Sequence, residues 1–167
     1  FREREWFILN SLAPSLGLSM EDEDLPFSVK PDEKVDARKV MELLRSTYEG
    51  TELDMTRNLK MVNRKGDTIV SPIANPWMGG NDIATYNFIA PGIVESQRTV
   101  SVSWCSYSFV AQLRSWMPDE IGGILWYGVE NPGQSPRIPI FTGSTQLPSC
   151  FDECGHGNFN EETILWR

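Results

Sequence analysis

The hydrophobic pattern of residues 36–49 predicts the clearest helix of the chain. Its apolar positions recur at the 3.6-residue spacing of one helix face, which indicates a face that packs into a core. These positions are Val40, Met41, Leu43, Leu44, Thr47 and Tyr48. Asp36 has the side chain of a helix N-cap, and Gly50 suits the C′ position at which a helix ends.

Three later segments have strand patterns instead. Apolar and small polar residues alternate in residues 98–112, which is typical of a half-buried strand. Residues 122–129 are apolar without alternation, as expected for a strand buried on both faces. Residues 137–142 predict a further short strand, in which Pro139 indicates an edge or a bulge. The connections are too short for helical crossovers, so antiparallel pairing is expected.

The remaining segments show no clear periodicity. Residues 1–30 mix charged with apolar positions, and the acidic run 21–24 is expected to be a solvated loop. Turn signals such as Asn75-Pro76 are frequent in residues 51–97. A long irregular segment in a compact domain is usually functional or wraps another part of the protein. A helix followed by several sequential strands is an α+β order.

Size and charge narrow the class of protein. The 167 residues are 40% hydrophobic, which is ordinary for one globular domain with a sizeable core. The net charge of −8 argues against nucleic acid as a partner, because phosphates are neutralised by a basic face. It argues more weakly against an anionic membrane surface, and no stretch reaches the roughly 18 apolar residues of a spanning helix.

The three cysteines and the single histidine suggest sites that the pattern supports weakly. Cys150-x-x-x-Cys154-x-His156 supplies two thiols and an imidazole, which suit zinc, but no fourth ligand lies at a sensible spacing. A Cys150–Cys154 disulfide is an alternative, and a plain loop is the favoured interpretation. Cys105 and His156 would make a nucleophile–base pair, but Cys105 lies inside a strand pattern. An odd cysteine count leaves the redox compartment undetermined.

A series of short motifs extends through most of residues 1–150. In order, they are Arg4-Glu5-Trp6, Leu12-Ala13-Pro14-Ser15-Leu16, Leu25-Pro26-Phe27-Ser28-Val29-Lys30-Pro31, Leu43-Leu44-Arg45, Tyr48-Glu49-Gly50-Thr51, Asp54-Met55-Thr56, Arg98-Thr99-Val100-Ser101, Tyr107-Ser108-Phe109-Val110-Ala111-Gln112 and Ile121-Gly122-Gly123-Ile124-Leu125-Trp126-Tyr127-Gly128. Each motif is modest by itself, and their ordered combination is more specific. The series resembles the dipeptidase A family, which is related to the secernins.

The resemblance implies an N-terminal-nucleophile hydrolase with a four-layer αββα sandwich. In such enzymes an N-terminal Cys attacks the peptide carbonyl, and its own α-amino group transfers the proton. A dipeptide substrate and no metal or organic cofactor are implied. Because Phe1 is not a cysteine, we expect residues 1–167 to be the C-terminal portion of a single hydrolase domain. The nucleophile would then belong to a missing N-terminal part, and this chain alone would be inactive.

Three residues are candidates for the site of such an enzyme. A thiolate and a tetrahedral oxyanion require preorganised cations and amide donors, and Arg98, Asn75 and Lys30 can supply them. Arg98 is predicted at the start of a strand. Asn75 precedes Pro76 in a stretch where the family would be expected to show an Asn-Pro-Asn-like run. The structural alternatives are a surface ion pair for Arg98, a turn for Asn75 and a solvated side chain for Lys30.

Two other functions stay open at this point. A related amide hydrolase acting on acylated amino acids, bile-salt conjugates or penicillins would share the fold. A secernin-like interaction module would need no catalysis at all. A homo-oligomer is compatible with the sequence, and the compartment stays undetermined because targeting signals would be lost with the missing part.

Overall fold

The computed structural model describes residues 2–151. The chain divides into two compact units, Phe1–Ser103 and Trp104–Arg167. The side chain of Cys150, together with Cys154 and His156, lies outside the described residues. The zinc, disulfide and nucleophile–base hypotheses, each of which requires one of these groups, therefore stay predictions.

The first unit begins with a helix that the sequence pattern did not predict. Helix α1 spans Arg2–Leu12, and a short 3₁₀ turn follows at Pro14–Leu16. The indole of Trp6 donates a hydrogen bond to the carbonyl of Leu18 (2.8 Å). The chain therefore folds back along the helix directly after the turn.

Helix α2 starts where predicted and ends earlier. It spans Ala37–Arg45, and the Oδ1 atom of Asp36 accepts from the amide of Lys39 at 2.7 Å. The predicted helical continuation to residue 49 is wrong, because Ser46 already has an extended backbone, and Tyr48 is left-handed with a φ of 69°. Gly50 also has a positive φ of 76°, but it lies in the turn after the helix and does not cap it.

Regular structure also occurs within residues 51–97, which were predicted to be irregular. Strands β1 (Lys60–Val62) and β2 (Thr68–Val70) pair antiparallel, with Met61 opposite Ile69. Helix α3 spans Gly80–Ile89. The strands have three residues each, which is too short for a two-residue periodicity to stand out.

A small apolar cluster holds this segment together. Its buried members are Met55, Leu59, Met78 and Val94, and its half-buried neighbours are Ala74, Ile83, Tyr86 and Ile93. Two carboxamide hydrogen bonds join the end of α3 to the same region. Asn87 donates from its Nδ2 atom to the carbonyl of Val94 and accepts at its Oδ1 atom from the amide of Val94. The breaker-rich segment therefore has a core of its own.

The second unit contains a three-stranded antiparallel sheet in the order β3-β4-β5. Strands β3 (Tyr107–Leu113), β4 (Gly123–Val129) and β5 (Ile138–Phe141) are those that the later patterns predicted, and β4 follows the short helix α4, Asp119–Gly122. Every residue of the central strand β4 is buried or half-buried. The predicted β4 and β5 are thus confirmed within one or two residues.

The first half of the predicted strand 98–112 is not a strand. Residues 98–104 make no ladder, and the strand begins only at Tyr107. Main-chain groups of residues 98–101 instead form hydrogen bonds with Ser46, Tyr48 and Trp77, as described below. Arg98 therefore does not begin a strand, contrary to the prediction.

The fold class is α+β, with antiparallel sheets and helices, as predicted. Within the described residues, none of the helices is both long and apolar enough to cross a membrane. The acidic run 21–24 forms a largely exposed loop, in which the carboxylate of Asp22 accepts from the amide of Ser19.

Candidate functional site

A compact polar turn follows helix α2. The carboxylate of Glu49 accepts hydrogen bonds from the hydroxyl of Ser46 (2.9 Å) and from the amide and the hydroxyl of Thr47 (3.0 and 2.8 Å). The hydroxyl of Ser46 in turn accepts from the amide of Tyr48 at 3.0 Å. Ser46, Thr47 and Tyr48 are all buried. We call residues 46–49 the Glu49 turn.

Tyr48 is the most unusual residue of this turn. Its φ of 69° lies in the left-handed region, which is rare for a bulky side chain and costs about 1–3 kcal/mol. The residue is completely buried, and its ring meets Phe7 edge to face with centroids 5.2 Å apart. Its hydroxyl donates to the main-chain carbonyl of Arg98 at 2.9 Å.

The electrostatics of the turn favour the protonated phenol of Tyr48 and the ionised carboxylate of Glu49, the forms that make these hydrogen bonds. Burial raises the pKa of Tyr48 to about 12, while Arg4 and Glu3 act on it more weakly in opposite directions. The phenol therefore stays protonated and donates at neutral pH. Partial burial acts to raise the pKa of Glu49, but hydrogen bonds from the backbone, Thr47 and Ser46 together hold it below its ordinary value.

The segment 98–101 is held against this turn without a β-ladder. The amide of Ser101 donates to the carbonyl of Ser46 at 2.9 Å, and the indole of Trp77 donates to the carbonyl of Ser101 at 2.7 Å. The hydroxyl of Thr99 donates to that same carbonyl. Thr99 and Ser101 are buried, so these bonds fix the backbone on both sides of Val100.

Two of the three predicted site residues are connected to these hydrogen bonds, Arg98 directly and Asn75 through Trp77. Arg98 is exposed, and its carbonyl holds the Tyr48 hydroxyl. Asn75 is exposed, and its Oδ1 atom accepts from the amide of Trp77 at 2.9 Å. Lys30 is exposed in the loop between α1 and α2, and the hydrogen bonds that join the Glu49 turn to residues 98–101 do not involve it.

An open cavity of about 310 Å³ borders the Glu49 turn. Its lining includes Phe7, Lys39, Glu42, Arg45, Ser46 and Glu49, so charges of both signs surround it. A second cavity of about 510 Å³ shares Ser11 and Lys39 with the first. The polar turn therefore has space beside it for a small charged molecule.

The sequence patterns assigned Tyr48 to a helical core face and gave Glu49 and Trp77 no individual role. The sequence signal for Tyr48 and Glu49 was the motif Tyr48-Glu49-Gly50-Thr51. Gly50 does not end the helix, because Ser46 is already extended and Tyr48 already has a left-handed backbone. The loop at Trp77 carried only a turn signal. Its hydrogen bond crosses 24 positions, and no local pattern encodes such a partner.

Cys105 also differs from its predicted setting. It precedes strand β3, is half-buried, and donates from its Sγ atom to the carbonyl of Tyr107 at 3.1 Å. Among residues 2–151, no group of three or more His, Cys, Asp or Glu side chains is placed to hold a metal ion.

Comparison with known proteins gives these motifs a family. The model of peptidase family C69 matches residues 1–167. A curated protein of Latilactobacillus sakei described as a probable dipeptidase is 26% identical over 150 residues, which is 90% of this chain. The chain spans only about a quarter of the length of that relative, since the match covers 25% of it. No solved structure matches. The chain therefore belongs to peptidase family C69, in agreement with the resemblance to the dipeptidase A family.

Proposed function

We propose that this chain is one part of a cysteine dipeptidase whose N-terminal nucleophile lies outside residues 1–167. Family C69 is a peptidase family, and a probable dipeptidase is similar over most of the chain. The observation that carries the proposal is the hydrogen bond from the Tyr48 hydroxyl, in the Glu49 turn, to the main-chain carbonyl of Arg98. It joins two motif segments that lie 50 positions apart and includes the backbone of a candidate cation.

The proposed reaction is hydrolysis of a dipeptide through a thioester. The cysteine thiolate adds to the peptide carbonyl, and the carbonyl π electrons move to the oxygen as an oxyanion. When the oxyanion collapses, the C–N bond breaks and the amine takes a proton from the α-ammonium group of the cysteine. Water then adds to the thioester carbonyl and gives a proton to the now neutral α-amino group. The C–S bond breaks, which releases the acid and regenerates the thiolate and the α-ammonium group.

The contribution of this chain is stabilisation of developing charge. Arg98 would provide a guanidinium close to the oxyanion, where a preorganised donor is worth about 3 kcal/mol or more. The Oδ1 atom of Asn75 already accepts from Trp77, which leaves its Nδ2 amino group as the donor. Lys30 would supply a second cation from the loop before α2. In this proposal the sheet β3-β4-β5 forms part of an αββα sandwich.

The decisive experiment replaces Arg98 by alanine in the complete dipeptidase. We expect kcat/KM for dipeptides to fall about 100-fold or more, because a charged donor to the oxyanion is lost. Arg64→Ala, which removes an exposed arginine beside strand β1, is the matched control and should leave kcat/KM unchanged. Equal activity of Arg98→Ala and the parent enzyme would remove Arg98 from the site.

The same preparation distinguishes dipeptides from other amides. Dipeptides should be turned over with a higher kcat/KM than acylated amino acids or penicillins of similar size. A preference for an acyl amide would replace the dipeptidase by a related amide hydrolase. Absence of turnover for every amide, in a preparation that contains the full-length protein, would favour an interaction module.

A further inference from the structure

We propose that Tyr48 is a positioning residue, whose buried hydroxyl fixes the backbone of Arg98 and thereby aims its guanidinium at the reacting carbonyl. This inference rests on the proposed function, since it assigns to Tyr48 a role that it exerts through Arg98. Tyr48 itself is fully buried. It therefore cannot touch the substrate, and its effect must pass through a neighbour.

The first step is that Arg98 needs an anchor. Its segment belongs to no strand, so regular ladder hydrogen bonds do not set its place. The Tyr48 hydroxyl binds the Arg98 carbonyl, while Ser46 and Trp77 bind Ser101 three residues later. These contacts are long-range bonds that hold the two ends of the segment.

The second step is that the anchor is itself held under strain. A tyrosine with a φ of 69° persists only when the surroundings over-determine its conformation. Glu49 provides this by accepting three hydrogen bonds from Ser46 and Thr47, and Phe7 packs against the tyrosine ring. Strained residues that the structure maintains in this way cluster at functional sites.

The third step concerns the residue that the Tyr48 phenol contacts. In an unstrained helical extension of α2, Tyr48 would continue the apolar face of that helix, as its spacing suggests. The helix ends at Ser46, whose backbone is extended, and after the left-handed turn at Tyr48 the hydroxyl of Tyr48 reaches a residue 50 positions away. The strain is therefore coupled directly to the bond that places Arg98.

The test is a double-mutant cycle of Tyr48→Phe and Arg98→Ala in the complete dipeptidase. Tyr48→Phe keeps the ring and removes one hydrogen bond, so kcat should fall about three- to tenfold while KM changes less than twofold. In the Arg98→Ala background the same substitution should have no further effect on kcat. A positioning role requires this non-additivity.

Tyr86→Phe is the control, because Tyr86 packs against the apolar cluster of the same unit and should leave kcat unchanged. Glu49→Gln is a second variant, which loosens the turn without altering the phenol. It should lower kcat when Arg98 is present and leave kcat unchanged in the Arg98→Ala enzyme. Additive losses in the cycle, or an unchanged kcat for Tyr48→Phe, would overturn the positioning role. An unchanged kcat for Arg98→Ala would overturn the role of Arg98, and with it this inference.

Discussion

At the residue scale, Tyr48 shows how a locally unfavourable conformation can persist. Its left-handed backbone costs about 1–3 kcal/mol, but the phenol gains a buried hydrogen bond and an edge-to-face ring contact. Glu49 accepts three further bonds in the same turn. The strain is therefore offset by contacts within the turn and by contacts with two residues far along the chain, Phe7 and Arg98.

The carboxylate of Glu49 should make stability dependent on acid. Its pKa is lowered in the folded protein, so its contribution is fully present above the ordinary value of 4.5 and is lost as pH falls through the folded pKa. We expect Glu49→Gln to be less stable than the parent at pH 7 and to lose less stability between pH 5 and pH 3.

Urea unfolding at a series of pH values measures this difference. Glu52→Gln, at an exposed carboxylate in the next turn, is the control and should follow the parent. Asp32 also has a lowered pKa because Ser15 donates to it from its hydroxyl and its amide, so part of the acid dependence should survive in Glu49→Gln. Parallel curves for parent and Glu49→Gln would contradict the assignment.

A second residue-scale prediction concerns Gly143. A Cβ atom at this position would lie 2.8 Å from the main-chain oxygen of Glu120, and the amide of Gly143 donates to that oxygen. Because backbone cannot move aside cheaply, Gly143→Ala should destabilise the protein by about 1–3 kcal/mol.

Thermal unfolding of purified variants checks this value. Gly80→Ala is the control, because nothing lies within 4 Å of a Cβ atom there and alanine favours the helix. It should be as stable as the parent or slightly more stable. A normal melting temperature for Gly143→Ala would show that Glu120 and Gly143 separate without cost.

At the element scale, local signals were sufficient for the start of α2 and for strands β4 and β5. Asp36 was predicted as the N-cap of α2, because capping depends on a side chain and an amide three residues apart. Strands β4 and β5 were predicted from their own composition. The end of α2 was missed, because the helix ends at Ser46, where the backbone is extended but no glycine or proline marks a stop.

The same distinction explains the candidate site. The sequence nominated Arg98, Asn75 and Lys30. The carbonyl of Arg98 contacts the Glu49 turn through Tyr48, and Asn75 is linked to Ser101 through Trp77. The sequence could not nominate the long-range bonds, since the partners of Trp77 and Tyr48 lie 24 and 50 positions away. Residues 98–104 alternate like a strand, yet long-range bonds to Ser46, Tyr48 and Trp77 decide their conformation.

The N-cap of α2 provides an element-scale prediction. Asp36→Ala removes the acceptor for the Lys39 amide and should lower the free energy of unfolding by about 1 kcal/mol. Asp36→Ser keeps an acceptor and should stay close to the parent. Denaturant unfolding of both variants measures the difference, and equal loss in both would argue against capping as the cause.

At the scale of the whole molecule, the proposal places the nucleophile outside this chain. Cys105 is half-buried, and its thiol donates a hydrogen bond to the carbonyl of Tyr107 within this chain's own fold. We therefore expect Cys105→Ser to retain dipeptidase activity in the complete protein. An alkylating reagent should inactivate that variant as rapidly as the parent.

Intact mass measurement and N-terminal sequencing of the active preparation locate the modified thiol. The expected result is a single alkylated cysteine at the N-terminus of a polypeptide outside residues 1–167. Resistance of Cys105→Ser to the reagent would instead identify Cys105 as the reactive thiol and overturn the proposed N-terminal nucleophile.

The hydrogen bonds that hold residues 98–101 have a consequence for heat inactivation. A strand in a sheet is released only when its neighbours separate, but the bonds described for this segment come from residues of two loops, Ser46, Tyr48 and Trp77. Such regions open with a smaller free energy than the global unfolding of the protein. Warming should therefore abolish turnover several degrees below the calorimetric transition, and prompt cooling should restore it.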